Sequence, residues 1–375
     1  MKDPRYSIIC SLLCIALIIM MLTIIASADP NINTSAKAAA LYEPKTKSFL
    51  YSKNGDDRLS MASTTKIMTA LVAIETLELD EVITVPKECA GIEGSSVYLE
   101  AGDSLTVRDL LYSLLLQSAN DAAAVLAVRI AGDNFGFAEL MNKKAEELCL
   151  ENTHFENPHG LDSEEHYTTA NDMAILGAAA LENDVLSRIA STYKYTFRLS
   201  DKVRTVVNHN KLLKMYDGCI GLKTGYTKHS GRCLVSAAKR DGLTMVAVTL
   251  DAPDDWNDHK ALLDLGFNTL ERIDVASYCK QEFTVPLINS KLDAVKCSPI
   301  GLLGVDIIVQ KGTADIKALV DIKPYAPAPV RVGDKLGEIV FYNHGIECAR
   351  VDIRATESAE KIANKRFNIF DIFSP

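Results

Sequence analysis

Lys223-Thr224-Gly225 occurs once in this chain of 375 residues, just ahead of a strand-like run from Gly231 to Ala237. A lysine and a threonine side by side suit a carboxylate ligand, through one charge-assisted bond and one hydroxyl bond. The glycine lets the backbone approach a bound chain closely, as the edge strand of a sheet does when it accepts a peptide. Taken alone, the same three residues also describe a surface turn. No nucleotide-binding glycine run precedes Lys223, so a phosphate role has little support.

Two further polar clusters stand upstream, Ser63-Thr64-Thr65-Lys66 and Ser118-Ala119-Asn120. Ser-x-x-Lys by itself says little, because Ser191, Ser236, Ser277 and Ser358 also carry a lysine three residues on. The ordered set of three discriminates. Ser63 opens an apolar-periodic stretch with Ile67, Met68, Leu71, Val72 and Ile74, which predicts a helix whose first turn holds both Ser63 and Lys66. That spacing puts the amine within reach of the hydroxyl. A serine hydroxyl is a weak nucleophile until a base stands beside it. Lys66 serves as that base only when neutral, which requires burial or a cationic neighbour, and Lys223 is one such neighbour. Free N–H groups at the helix start can also face an oxyanion. Ser118 and Asn120 read alone as a helix cap. Within the set, Ser118 would relay a proton and Asn120 would position Lys66 and a substrate amide. The three clusters together predict acyl transfer through a serine, with no metal, no cofactor and no histidine base.

Around these clusters the pattern predicts one large α+β domain followed by a small, mostly β domain. Ala39 to Tyr51 reads as two short strands about a polar turn, and Thr244 to Leu250 as a further strand. Arg108–Leu116, Asp121–Ile130, Phe135–Leu148 and Thr168–Leu181 read as helices. After Gly266-Phe267, short β-type runs such as Val305–Val309 and Ile339–Tyr342 alternate with Gly, Pro and Asn. The expected boundaries are 29–275 for the catalytic domain and 280–354 for the β-rich one. Residues 355–375 form an expected amphipathic tail, with a helix over Glu357–Phe373 that could rest on a membrane surface.

Residues 1–28 read as a signal peptide. Lys2 and Arg5 precede an apolar stretch over residues 8 to 25, and Ala26-Ser27-Ala28 offers a cleavage site; an uncleaved membrane helix is the alternative. Either way the body is exported and extracytoplasmic. Losing two cations and one anion takes the formal charge from -9 to -10, an acidic balance that argues against nucleic-acid binding. Seven cysteines remain, widely spaced and without a Cys-x-x-Cys pair, so small buried residues are expected rather than a disulfide scaffold. His154, His159 and His166 lack zinc-ligand spacing and read as loop residues held by local hydrogen bonds. Asp251, Asp254, Asp255 and Asp258 read as a solvated loop rather than a calcium site.

The chain resembles the serine-type D-Ala-D-Ala carboxypeptidases, low-molecular-mass penicillin-binding proteins of peptidase family S11. The matching pieces are the three clusters, Phe155-Glu156-Asn157-Pro158-His159-Gly160-Leu161, the run from Asp217 to Thr227, and Leu265-Gly266-Phe267. The resemblance implies a helical cluster on an antiparallel sheet, the fold shared with serine β-lactamases and transpeptidases. It implies Ser63 as the acylated nucleophile and Lys66 as general base, with Ser118, Asn120 and Lys223 completing proton transfer. Thr224, Gly225, Tyr226 and Thr227 would hold the substrate, and the N–H groups of Ser63 and Tyr226 would form the oxyanion hole. Peptidoglycan stem peptides are the implied substrate and β-lactams the implied covalent inhibitors. The outer face of the cytoplasmic membrane is the implied location. One departure is Asn171 in Thr169-Ala170-Asn171-Asp172, where the family commonly has arginine, which puts a local salt bridge in doubt. A β-lactamase or related esterase is the competing enzyme reading, against which no Glu-x-x-x-Asn segment stands between Asn120 and Lys223 at the expected place. A non-catalytic peptidoglycan-binding protein is the competing binding reading.

Overall fold

The computed structural model describes residues 32–199, 202–279, 281–302 and 305–362. The expected signal peptide lies outside the described residues, as does the tail beyond Ile362. The chain divides into two compact units between Asn268 and Thr269.

The first unit begins with a hairpin, β1 (Ala38–Glu43) and β2 (Ser48–Lys53). Every residue of β1 is buried because it lies between two strands and beneath helices. A 3₁₀ turn, Ala62–Thr65, leads into α1 (Lys66–Thr76). Residues 66–73 of α1 are all buried, so this part of the helix runs through the core. The small pair β3 (Val82–Thr84) and β4 (Ser104–Thr106) follows. Thr106 and Asp109 then form a reciprocal cap that starts α2 (Val107–Leu116). Next is α3 (Asn120–Ala131), stopped by Gly132 in the left-handed region at φ 88°. Asp133, Thr169 and Asn183 cap α4 (Asn134–Glu147), α5 (Ala170–Glu182) and α6 (Asp184–Ser191) through their side-chain oxygens. A hairpin of β5 (Lys194–Leu199) and β6 (Lys202–Val207) and the single turn α7 (Leu212–Met215) lead to β7 (Cys219–Thr227), β8 (Gly231–Arg240) and β9 (Leu243–Leu250). The unit closes with α8 (Asp255–Thr269).

Five strands form one antiparallel sheet in the order β2-β1-β9-β8-β7. That leaves β7, which carries Lys223-Thr224-Gly225, on the open edge. Helix α5 seats closely on the sheet at Gly177, where an added Cβ would stand 3.1–3.2 Å from Val235, Val246 and Leu222. The helices expected over 108–116, 121–130, 135–148 and 168–181 are present with ends within two residues.

The second unit is β-rich. Strand β10 (Leu270–Asp274) belongs to it because it pairs with β13 (Asp306–Gln310). A six-stranded sheet runs β14-β16-β17-β12-β11-β15, with β11 (Phe283–Ile288), β12 (Ala294–Ile300), β14 (Ile316–Ile322), β15 (Ala326–Pro327), β16 (Lys335–Asn343) and β17 (Ile346–Ala355). Val285, Val295, Ile339, Phe341, Val351 and Ile353 alternate inward to make its core. His344 and Gly345, both at positive φ, form the two-residue turn between β16 and β17. The helix expected from Glu357 is corrected over its described part. Ala359 bridges Val330 and Lys361 bridges Ser290, so the chain is extended to Ile362, whose N–H bonds Asn289 O at 2.9 Å. Pairing with backbone already in place outweighs the weak helical period of these few residues.

All seven described cysteines are unbonded; Cys89, Cys233, Cys279 and Cys297 are buried, while Cys149 and Cys348 are exposed. No helix among the described residues is long and apolar enough to cross a membrane.

Candidate active site

Ser63 lies in the 3₁₀ turn rather than in the first turn of the α-helix. The tight turn has a local cause: the hydroxyls of Thr64 and Thr65 bond the carbonyls of Met61 and Ala62, three residues back, at 2.6 and 2.8 Å. Two glycines let other segments press against it. A Cβ on Gly160 would stand 2.0 Å from Ala62 O, and one on Gly225 would stand 3.0 Å from Ser63 N. The edge strand β7 therefore passes directly beside the backbone of Ser63.

Lys66, the first residue of α1, is wholly buried. Its ammonium nitrogen bonds Ser63 Oγ at 2.9 Å and Asn120 Oδ1 at 2.7 Å, and also reaches the carbonyl of His159. Burial holds its pKa well below the usual lysine value, the Lys223 charge lowers it further, and Asp121 opposes both. Lys223 is buried too; burial alone brings its pKa down to about 7, and its Nζ bonds Thr224 O at 2.8 Å. This is the environment in which a lysine becomes a base at neutral pH.

Asn120 is fixed from both ends. Its N–H bonds Ser95 O at 2.7 Å and its Nδ2 bonds Glu93 O at 2.5 Å, while Gly94 leaves room for the amide. The adjoining Asp121 accepts from Ser96 Oγ and from the N–H groups of Val97, Leu99 and Ala122, so the 96–99 loop is tied to the start of α3. Ser118 sits between α2 and α3 at φ 63°, a conformation a serine adopts at some cost.

These elements enclose a cleft of about 310 Å³ lined by Ser63, Ser118, Thr224, Gly225 and Tyr226. Thr227 is not part of that lining; its hydroxyl is held by Asp162 at 2.9 Å and bonds Ser230. Of the nine residues singled out from sequence, five line the cleft and Lys66, Asn120 and Lys223 stand behind it.

The cleft has further walls that sequence reasoning missed: Ser95, His209, Arg232, Asp255 and Trp256. Arg232 Nη2 donates to both carboxylate oxygens of Asp255, at 2.6 and 2.8 Å, and the guanidinium lies 5.6 Å from the Trp256 ring. Asp255 and Asp258 are buried at the start of α8, and Asp258 accepts from Ser35 N and Oγ. The solvated-loop reading of this acidic cluster is thus overturned for these two residues. The available signal was position, since aspartates gather in the first turn of a helix, where backbone N–H groups lack partners. His209 has its pKa lowered by burial and by Lys223.

His154, His159 and His166 lie in loops, as read from sequence, and two of them hold neighbouring segments by hydrogen bonds. His166 Nε2 meets Thr65 Oγ1 at 2.8 Å and His154 Nδ1 meets Glu165 O at 2.6 Å. Burial brings the pKa of His159 down to about 3 and that of His166 to about 4. Asn171, where the family commonly has arginine, donates its Nδ2 to Asp56 Oδ1 at 2.9 Å. Among the described residues no group of His, Cys, Asp or Glu is arranged to hold a metal.

The sequence profile of the D-alanyl-D-alanine carboxypeptidases, peptidase family S11, matches residues 24–254. The chain is 34% identical over 343 residues to D-alanyl-D-alanine carboxypeptidase DacF of Bacillus subtilis, covering 87% of this chain and 86% of that one. It is 31% identical over 345 residues to DacC of Escherichia coli, covering 88% and 85%. Among solved structures it is similar to penicillin-binding protein 5 of Haemophilus influenzae, with a TM-score of 0.65 and 26% identity over 88% of this chain and 99% of that one. It also resembles D-alanyl-D-alanine carboxypeptidase DacD of Francisella tularensis, with a TM-score of 0.64 and 26% identity over 90% and 96%. A serine beside a buried lysine, an edge strand at the nucleophile and this span of similarity lead to one conclusion: the chain belongs to the D-alanyl-D-alanine carboxypeptidases of peptidase family S11.

Proposed function

We propose that this protein removes the terminal D-alanine from peptidoglycan stem peptides through an acyl-enzyme on Ser63. The observation that carries the reading is the 2.9 Å bond between Lys66 Nζ and Ser63 Oγ, made by a buried lysine whose pKa lies well below its usual value. In this reading neutral Lys66 takes the Ser63 proton as Oγ attacks the penultimate carbonyl. Asn120 keeps the lysine aimed, and the N–H groups of Ser63 and Tyr226 receive the oxyanion. Ser118 and Lys223 return a proton to the departing amine. Water then releases the acyl group by the reverse sequence. Thr224 and Lys223 meet the terminal carboxylate, and the Arg232 guanidinium at the same cleft adds a second cation for it.

Extracytoplasmic action is consistent with the cell-wall relatives. We place the enzyme at the outer face of the cytoplasmic membrane, delivered by residues 1–28 and held by residues 363–375. The test is direct. Purified protein incubated with an acyl-L-Lys-D-Ala-D-Ala peptide should release one D-alanine per peptide, and penicillin should block the release. Rapid turnover of penicillin without D-alanine release would favour the β-lactamase reading instead.

A further inference from the structure

A second depression of about 560 Å³ lies beyond the Thr227 end of β7, lined by Arg58, Ser60, Asp162, Glu164, Tyr167 and His229 among others. Its walls join the catalytic cleft through short connections. Ser60 lies three residues before Ser63, His229 lies three after Tyr226, and Asp162 accepts from Thr227 Oγ1 at 2.9 Å. The lining presents both signs of charge, with Arg58 against Asp162 and Glu164. Arg58 lies over the Tyr167 ring at 4.7 Å, and Asn152 Oδ1 accepts from its Nε and Nη2 at 3.2 and 2.9 Å. The guanidinium is thereby held in place while it lines the pocket. Glu164, exposed in the 162–165 loop, lines the same pocket, and that loop is itself pinned where Glu156 accepts from Ser163 Oγ and Glu165 N.

The direction of the bound peptide follows from the proposed catalytic geometry. With the terminal carboxylate at Thr224 and the scissile carbonyl at the Tyr226 N–H, the substrate runs antiparallel to β7, advancing about 3.3 Å per residue. The residue before the penultimate alanine then lies beside Thr227, at the mouth of the second pocket. We propose that this pocket is the subsite for the third residue of the stem peptide, and that it favours a diamino acid whose side chain ends in both an ammonium and a carboxylate. Arg58 and His229 take the carboxylate, and Glu164 takes the ammonium beside Asp162, whose carboxylate also holds Thr227. The Tyr167 ring covers the methylene chain. A side chain ending in a lone ammonium satisfies only the acidic half and leaves Arg58 without its anion.

This subsite rests on the peptidase reading of the cleft. The experiment compares kcat/KM for D-alanine release from three pentapeptides that differ only at the third residue: a diamino-dicarboxylic acid, lysine and alanine. The wild-type protein is expected to prefer the diamino-dicarboxylic peptide over the lysine one by about tenfold or more, as one well-placed charge-assisted pair allows. Arg58→Gln is expected to bring that ratio close to one, with release from the alanine peptide retained as the sign of a folded enzyme. Glu164→Gln is expected to lower the lysine peptide relative to the alanine peptide. Equal wild-type rates on all three peptides would overturn the subsite while leaving the peptidase reading intact, and so would a ratio unchanged by Arg58→Gln. No release from any of the three would overturn both.

Discussion

Gly160→Ala tests whether the position of the nucleophile turn, rather than the presence of its side chains, sets the rate. Gly160 has φ 85°, and an alanine Cβ there would stand 2.0 Å from Ala62 O, 2.5 Å from Ala62 C and 2.9 Å from Thr65 Oγ1. The nearest atoms are backbone, so relief requires the 62–65 turn or the 158–161 loop to move by more than an ångström. Left-handed strain contributes about 1–2 kcal/mol and overpacking about 1–3 kcal/mol, for a destabilisation of about 2–5 kcal/mol. Gly102 supplies the control. It has φ 91° with nothing within 4 Å of an added Cβ, so Gly102→Ala should cost only the strain of about 1–2 kcal/mol. The catalytic consequence is larger than the difference in stability. Displacing Ser63 Oγ by about 1 Å from Lys66 and from the β7 backbone should slow acylation by about a hundredfold. Stopped-flow acylation by a fluorescent penicillin, with urea unfolding of each variant, measures both quantities. The reasoning is refuted if a folded Gly160→Ala protein acylates as fast as Gly102→Ala.

Five other outcomes can be measured. Lys66→Ala should abolish acylation by every substrate, whereas Lys223→Ala should hurt carboxylate-bearing peptides most; equal loss on a carboxylate-free thioester would contradict that division. Because burial brings Lys223 down to about 7, it sheds its proton as pH rises through neutrality, so KM for peptides with a free C-terminus should climb above about pH 7 while that for the thioester stays flat. For stability the sign follows from proton counts: between about pH 7 and the usual lysine pKa of about 10.4 the unfolded chain binds the proton that folded Lys223 lacks, so urea unfolding should show stability rising across that window. Arg232→Ala leaves Asp255 buried beside a half-exposed gap and should destabilise by about 1–3 kcal/mol, with Asp255→Asn recovering much of the loss in the double variant. Vesicle flotation of the mature chain against a version ending at Ile362 tests the tail: equal flotation of the two, or none of either, excludes residues 363–375 as the anchor.

The helices and the three clusters were legible because each rests on local pattern: apolar periodicity for α2 through α5, and a serine and a lysine three residues apart for the turn into α1. What escaped was set by contacts distant in sequence. Asp255 and Asp258 looked solvated because nothing local announces that Arg232, on β8, and Ser35, at the start of the described chain, will meet them. The sequence pattern leaves the β5–β6 hairpin, α6 and α7 unmarked, although Asn183 accepts from Val185 N and Leu186 N in the manner of an ordinary cap. The six residues after Thr356 carry a weak helical period, and Val330 and Ser290, both far upstream, draw them into extended pairing instead. His209 and Trp256 carry no spacing signal at all. Trp256 enters the cleft from the first turn of α8, and His209 from the segment between β6 and α7.

The central claim is that Ser63, activated by a buried neutral lysine, carries the covalent intermediate. Intact-mass analysis of the protein with penicillin, followed by mapping of the labelled peptide, tests it most directly. The account predicts a single adduct on the peptide containing Ser63, lost together with D-alanine release in Ser63→Ala. Labelling at Ser118, Ser60 or any other serine in that variant would contradict it.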